Sequence, residues 1–305
     1  LAVVWFGSPH EPYSGLPEDL ALYNNLPVRY AQQVVSLTSN ETGSPIRRPL
    51  RDVLRERYAE ITAMDRAIGT LRTYLKRDGL RDNTLLWYNG DNGTPPSGVA
   101  ETLLRGLKST LYEGGIRVPG LLEWPARIST PRVSQLPTVT SDILPTVAAL
   151  AGQAIPNRPL DGINLEPLIA GVMTSRPTPL FFWSFNSAGL GDRAREPYID
   201  PDLQMGTTPL VKLMNGLPTR NFQNFHYSAI EAHDFAGPRV ILNNDYKLII
   251  GSSDESTREL FDLRDDPAET RNLAEREPAV VEALEKQLRE WQHSTLNSLT
   301  GVDYR

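Results

Sequence analysis

Across residues 50–76, Leu54, Tyr58, Ile61, Ile68, Leu71 and Leu75 recur at spacings of three, four and seven, which predicts one long amphipathic helix. Lys76 and Arg77 suit the negative end of its dipole, and Gly79 is a ready stop. Thr84–Tyr88 is short, apolar on both faces and bounded by turn residues, the pattern of a strand inside a sheet covered by helices on both sides. Leu1–Phe6 gives a further continuous apolar strand, ending at Gly7-Ser8-Pro9-His10, and Arg117–Pro125 holds another apolar stretch. "SDILPTVAALAG" (Ser141–Gly152) predicts a capped helix with Ser141 or Asp142 at its start, Pro145 in its first turn and Gly152 past its end. Strands alternating with helices imply a doubly wound, mainly parallel α/β sheet.

After about Gly171 the pattern changes. "FFWSF" leads into a Pro-, Gly- and Asn-rich region that runs to about Pro238. "RVILNNDYKLII" then gives two strands around an Asn-Asn turn, "ELFDLRDDP" a third, and a helix after Pro278 presents Val281, Leu284, Leu288 and Trp291 on one side. The expected organisation is an α/β core over residues 1–175 and a smaller subdomain over 176–305, an antiparallel sheet plus one helix. Internal repeats and low-complexity tracts are absent from the sequence.

Composition narrows the function classes. Of 305 residues 40% are hydrophobic and 22% charged, enough for a packed core. A net charge of −6 argues against a general nucleic-acid surface. Without cysteine the chain has no disulfide, no zinc–thiolate site and no cysteine nucleophile. No apolar run approaches the ~20 residues of a membrane span. "LAVVWFGSPH" lacks the basic start and cleavage site of a signal peptide. Asn40-Glu41-Thr42 fits a glycosylation acceptor, a triplet also common by chance.

The chemistry gathers at strand ends. In "LLWYNGDNGT" (Leu85–Thr94) an acid and an amide, Asp91 and Asn92, stand between Gly90 and Gly93 where a strand stops. Ligands of open parallel sheets sit at such carboxyl ends. Two oxygen-bearing side chains suit a hard cation, calcium or magnesium, and the glycines let the backbone aim both at one place. The plainer reading is an Asn-Gly turn with a capping Asp. His10, at the end of another strand, has the chemistry to hydrogen-bond an anionic ester and protonate a leaving oxygen. Lys108 can neutralise a tetrahedral anion, with Gly114 and Gly115 allowing a tight turn nearby. Taken alone, His10 reads first as a loop histidine with no task and Lys108 as a solvated surface lysine. His226, His233 and His293 have no motif around them.

The order of these blocks is the stronger signal. "SPHEP", "TLLWYNGDNG", "LKSTLYEGGIRVPGLLEWP", "SDILPTVAALAG", "LDGINLEPLIAG", "DYKLI" and "ELFDLRDDPAETRNLA" resemble successive blocks of the type I sulfatases of the alkaline-phosphatase superfamily, from Leu1 to about Ala274. The resemblance implies that Asp91 and Asn92 ligate one divalent cation, calcium in most members and magnesium as the alternative. It implies that His10 contacts the sulfate ester and protonates the leaving group, and that Lys108 binds a sulfate oxygen. Gly90 departs from the commonest pattern, which has serine there. The family's nucleophile, a formylglycine made in a C/S-x-P-x-R signature, has no counterpart: neither Ser129-Thr130-Pro131 nor Ser175-Arg176-Pro177 is followed by the required Arg. A further aspartate pair among the family's metal ligands has none either. The chain therefore resembles the C-terminal part of a sulfatase, expected to need an N-terminal portion as partner and to be inactive alone.

The implied substrate is a sulfated carbohydrate or an aryl sulfate. Ser184–Pro238, with Arg193, Arg195, Arg220, His226 and His233, is the candidate pocket wall, or else a solvated insertion. Kin imply an exported, periplasmic or lysosomal location. The alternatives are a phosphoester or phosphonate hydrolase of the same superfamily and a non-catalytic sulfatase-like module. Two-zinc phosphatases need several motif histidines where this chain has one, and a module without chemistry has no physical need of His10, Asp91, Asn92 and Lys108 together.

Overall fold

A computed structural model describes residues 1–39, 42–95, 98, 102–185 and 229–304, together with the backbone of short strands at 194–197, 213–214, 217–218 and 225–227. Asn40 and Glu41 lie outside these residues, as do the side chains of Arg193, Arg195, Arg220 and His226. The chain divides into two compact units, Leu1–Arg132 and Val133–Arg305; the change of character expected near residue 175 falls inside the second. No helix among the described residues is long and apolar enough to cross a membrane.

The first unit is organised on one helix. A short helix α1 (Pro17–Ala21) precedes the hairpin β1 (Val34–Thr38) and β2 (Pro45–Pro49), paired antiparallel from Val34↔Pro49 to Thr38↔Pro45. Helix α2 follows at once, Leu50–Arg77, with Asp52 in its first turn, Lys76 and Arg77 in its last, and Gly79 at φ +70° ending it. This is the helix expected from the apolar spacing. Its N-terminal half packs Leu50, Val53 and Leu54 against Tyr13, Val35 and Leu37. Its C-terminal half is open, with Leu71 44% exposed, so the expected apolar face is buried only over its first turns.

Bidentate arginines tie neighbouring elements to α2. Arg66 grips Asp19 of α1 at 2.8 and 2.6 Å, and Arg48 of β2 grips Glu56 at 2.8 and 2.6 Å. Strand β3 (Leu86–Asn89) pairs antiparallel with β4 (Gly120–Glu123), Leu86 opposite Glu123. Glu123 receives Arg72 of α2 at 2.7 Å and Arg81 at 2.8 Å.

Two expectations change here. Leu1–Phe6 forms no strand, and Leu1 and Trp5 are 101% and 92% exposed, because no neighbouring backbone among the described residues meets its amides and carbonyls. The α/β class holds, but every strand pair among the described residues is antiparallel. Strand β3 takes β4 as its partner where a parallel neighbour was expected.

Between β3 and β4 the chain folds into a knot with no space for side chains on three glycines. A Cβ on Gly93 would stand 2.2 Å from the Gly114 carbonyl oxygen. One on Gly114 would stand 2.2 Å from that of Gly106, and one on Gly115 2.2 Å from that of Thr110. The close approach lets Gly93 N–H donate to Gly115 O (2.9 Å), Thr94 N–H to Gly114 O (2.8 Å) and Gly114 N–H to Arg105 O (2.7 Å). A single turn of helix, α3 (Glu113–Ile116), carries the two adjoining glycines.

In the second unit, a 3₁₀ turn at Thr140–Asp142 leads into α4 (Ile143–Leu150), followed by α5 (Glu166–Ile169) and β5 (Leu180–Trp183). Four short strands follow, with β6 (Ala194–Pro197) on β9 (Phe225–Tyr227) and β7 (Leu213–Met214) on β8 (Leu217–Pro218). The expected antiparallel sheet has the order β12–β11–β10–β5, with β10 Arg239–Asn243, β11 Tyr246–Ile250 and β12 Arg258–Asp262. Its hairpin turns at Asn244, φ +52°, a conformation asparagine tolerates. Helix α6 (Pro278–Leu299) lays Leu284 and Leu288 on Ile241, Leu248, Ile250 and Leu260, and stacks Trp291 on Phe181 at 4.9 Å.

Two buried ion pairs fix this unit. Asp142 is fully buried, meets the Arg176 guanidinium at 2.7 and 2.8 Å, and accepts the Val139 and Ile163 amides at 2.9 and 2.8 Å. Asp142 is thus more than the capping residue expected from sequence. Lys247 and Glu269, both 0% exposed, pair at 2.8 Å.

Two outcomes follow from these contacts. Gly114→Ala should destabilise the first unit by about 3 kcal/mol, the upper end for overpacking, whereas Gly120→Ala, with nothing within 4 Å of its added carbon, should change stability little; thermal unfolding of both variants measures the contrast. The Arg72 hydrogen bond, against the opposing effect of burial and helped by Arg81, holds the Glu123 carboxyl below its ordinary range. A depressed carboxylate contributes stability above the ordinary glutamate value of about 4.3 and loses it as pH falls through the depressed one. Urea midpoints should fall in that acid window, and Glu123→Gln should remove that part of the slope.

Candidate functional site

All four residues singled out from sequence lie in the first unit, and the glycine knot brings the Asp91–Asn92 and Lys108 loops together. Asp91 and Asn92 follow the end of β3, where Gly90 N–H donates to Pro119 O at 3.1 Å and Gly93 enters the knot. Gly90 has little room: a Cβ there would meet the Val118 Cβ at 3.1 Å, at a position where serine is the resemblance's commoner residue. Asp91 is exposed and Asn92 half-buried. The Asn92 side-chain NH₂ donates to Gly93 O at 3.0 Å, which leaves its carbonyl oxygen as the ligating end.

Lys108 is tied directly to this loop, because its backbone N–H donates to Thr94 O at 2.7 Å, two residues beyond Asn92. Its neighbour Ser109 sits at φ +77°, left-handed for a residue with a Cβ, between Gly106 at φ +79° and the Thr110 hydroxyl that bonds Leu107 O at 2.8 Å. Such strain is of order 1 kcal/mol and is found where the surroundings over-determine a functional backbone. Ser109 carries no pattern in the sequence that marks it.

His10 arrives from the other side. Its N–H closes a turn on Gly7 O (3.0 Å), its Nδ1 lies 2.6 Å from Glu11 O, and its Nε2 lies 3.4 Å from Lys108 Nζ. A carbonyl oxygen only accepts, so Nδ1 carries a proton, and in the neutral ring Nε2 offers its lone pair to the Lys108 ammonium. Residues 98 apart in sequence thus converge on one point. With Nε2 also protonated, the imidazolium and the lysine make a pair of donors for one anion, and the imidazole can carry a proton to or from it.

The donor set fits a hard cation in kind but not in number. Asp91 and Asn92 supply oxygen, whereas calcium takes 6–8 oxygens, and no group of three or more His, Cys, Asp or Glu able to hold a metal is found among the described residues. The remaining histidines with described side chains are engaged in the second unit. His233 lies between Glu231 (3.3 Å) and Asp234 (3.6 Å), and His293 packs on Phe235 at 4.5 Å.

Known proteins resemble this chain. Over 124 residues the chain is 43% identical to arylsulfatase A of Homo sapiens, an alignment covering 39% of this chain and 24% of that protein. Over 121 residues it is 39% identical to steryl-sulfatase of Rattus norvegicus, covering 36% and 21%. In fold it resembles the crystal structure of Ps i-CgsB, with a TM-score of 0.63 at 20% identity, over 95% of this chain and 49% of that one. The alignments thus span about a quarter of the length of the curated relatives and half of that structure. Members of this family generally use a divalent cation and a formylglycine. The sequence profile described as Sulfatase matches residues 1–153, half of the chain, and the chain belongs to the sulfatase family.

Proposed function

We propose that this chain is the part of a sulfatase that holds the ester's sulfate group and protonates its leaving oxygen, completed by an N-terminal portion that brings the nucleophile. The observation that carries this is the His10–Lys108 convergence at 3.4 Å, backed by the Asp91–Asn92 loop through the Lys108–Thr94 bond. Lys108 balances charge on the non-bridging sulfuryl oxygens. As the S–O bond to the alcohol breaks, His10 in its imidazolium form, protonated at both nitrogens, gives its Nε2 proton to that oxygen and is left as the neutral Nδ1–H ring, so the alcohol departs neutral. The attacking oxygen is not supplied by these 305 residues, which have no cysteine and no C/S-x-P-x-R signature. Asp91 and Asn92 would hold two positions of a calcium ion, or of magnesium, whose chemistry is to polarise the ester and favour an ionised nucleophile.

The substrate class within this reading is a sulfated carbohydrate or aryl sulfate, and the location is exported or lysosomal. A phosphonate or phosphoester hydrolase would use the same anion-binding pair, so the ratio of sulfatase to phosphatase rates of the complete protein separates the two.

Turnover of an aryl sulfate tests the proposal. The complete protein should hydrolyse it, and His10→Ala and Lys108→Ala should each lower kcat by about 10²–10³-fold. The 305-residue chain alone should show no turnover; robust, metal-dependent hydrolysis by it would overturn the division of labour. Calcium titrated into the isolated chain should bind no tighter than about 10⁻³ M, the weak end for oxygen-ligand sites, and Asp91→Asn should abolish the signal.

A further inference from the structure

His10 stands on a loop, and a loop histidine is only as well placed as the anchors of that loop. Residues 11–19 carry several. Thr38 N–H donates to Glu11 Oε2 at 3.4 Å, a long bond. Tyr13 is buried in the α2–hairpin core. At Ser14 both the backbone N–H (2.9 Å) and the hydroxyl (3.3 Å) donate to one oxygen, Glu60 Oε1, on α2. At the next residue, Gly15, a Cβ would stand 2.7 Å from that of Ala59, so the chain crosses α2 there as closely as it can. Asp19 is then held by Arg66.

Glu60 has no other visible employment. Its second carboxylate oxygen is buried and takes no hydrogen bond among the described residues. Burial pushes its carboxyl above the ordinary range, partly offset by the two Ser14 bonds, and the nearby Glu56 pushes the same way. Glu56 is itself committed to Arg48. A carboxylate held at that cost with both its hydrogen bonds on one loop residue is a tether for the loop.

We propose that Glu60 is a positioning residue for His10: its grip on Ser14, four residues along, fixes where the loop crosses α2 so that Nε2 meets Lys108 Nζ. The inference rests on the reading of His10 as the proton donor, but its test does not need turnover. In the isolated chain with isotope-labelled histidine, the His10 imidazole signals, assigned with His10→Ala, report the ring's surroundings, and the other three histidines serve as internal controls. Glu60→Ala should shift the His10 signals and leave the other three in place. Glu60→Gln, whose amide oxygen can accept the same two bonds, should restore them, and Glu60→Asp, one methylene shorter, should shift them with the fold intact.

In the complete protein Glu60→Ala should then lower kcat by about 10-fold or more, with Glu60→Gln close to the parent. If Tyr13 and the Glu11–Thr38 bond alone place the loop, the His10 signals stay put in the folded Ala and Asp variants, and the proposal fails. It fails too if Glu60→Ala unfolds the chain while Glu60→Asp leaves His10 unmoved, which would make Glu60 a stability residue only. Shifted signals without any sulfate-ester turnover in the complete protein would instead sink the functional reading and leave the tether standing.

Discussion

Contact between three stretches of bare backbone sets up the rest of the first unit. Gly93, Gly114 and Gly115 bring main chain to within 2.2 Å of where a Cβ would be, and the space so freed is spent on amide–carbonyl hydrogen bonds. The loop after β3 and the turn before β4 become one object with Asp91 and Asn92 on one lip and Lys108 on the other. None of the three glycines needs a left-handed φ; what each supplies is the absence of a side chain. Ser109, which does sit at positive φ, is where this object carries its backbone strain, next to the lysine it aims.

The second unit is held by a different kind of constraint, and that separates blocks with chemistry from blocks without it. "SDILPTVAALAG" and "LDGINLEPLIAG" meet at Asp142, where Arg176, the Val139 amide and the Ile163 amide fill the carboxylate. Gly162 presses so closely on the Ser141 carbonyl that a Cβ would be 1.9 Å away. "DYKLI" and "ELFDLRDDPAETRNLA" meet at the buried Lys247–Glu269 pair. Buried pairs add little net stability over apolar packing, but losing one partner leaves an uncompensated charge. These blocks therefore specify one packing of sheet and helix.

What could be read from sequence follows the range of the interaction. Helix α2 was legible because twenty-eight residues repeat one period, and the β10–β11 hairpin because Asn-Asn marked its turn to within one residue, the loop being Asn244-Asp245. Leu1–Phe6 has a strand's composition, but composition does not supply a partner, and those residues stay exposed. Half of the α2 apolar face fails the same way at Leu71. The candidate site residues were read as residue types at the ends of expected strands, of which only β3, before Asp91 and Asn92, forms; nothing local in the sequence joins His10 to Lys108, 98 residues away. Glu60 and Ser109 were illegible, since a glutamate on a polar helix face and a serine in a loop have no pattern of their own.

The geometry also explains why the anion is better defined than the substrate. Two donors 3.4 Å apart select a compact, negatively charged group, and a sulfate or phosphate ester satisfies them alike. Discrimination between the two lies in what attacks the central atom and in how many charges the cation site must balance. Neither is set by His10 and Lys108. Asp91 and Asn92 bring one negative charge and one neutral oxygen, a sparse share of a dication's needs. In the proposed reading the remaining ligands would carry most of the charge that tunes the nucleophile, so the portion supplying them would also set which ester reacts. In the proposed reading this chain would contribute the half of the chemistry that depends on holding an oxyanion still, and the close-packed glycines tie the Asp91–Asn92 and Lys108 loops to one another.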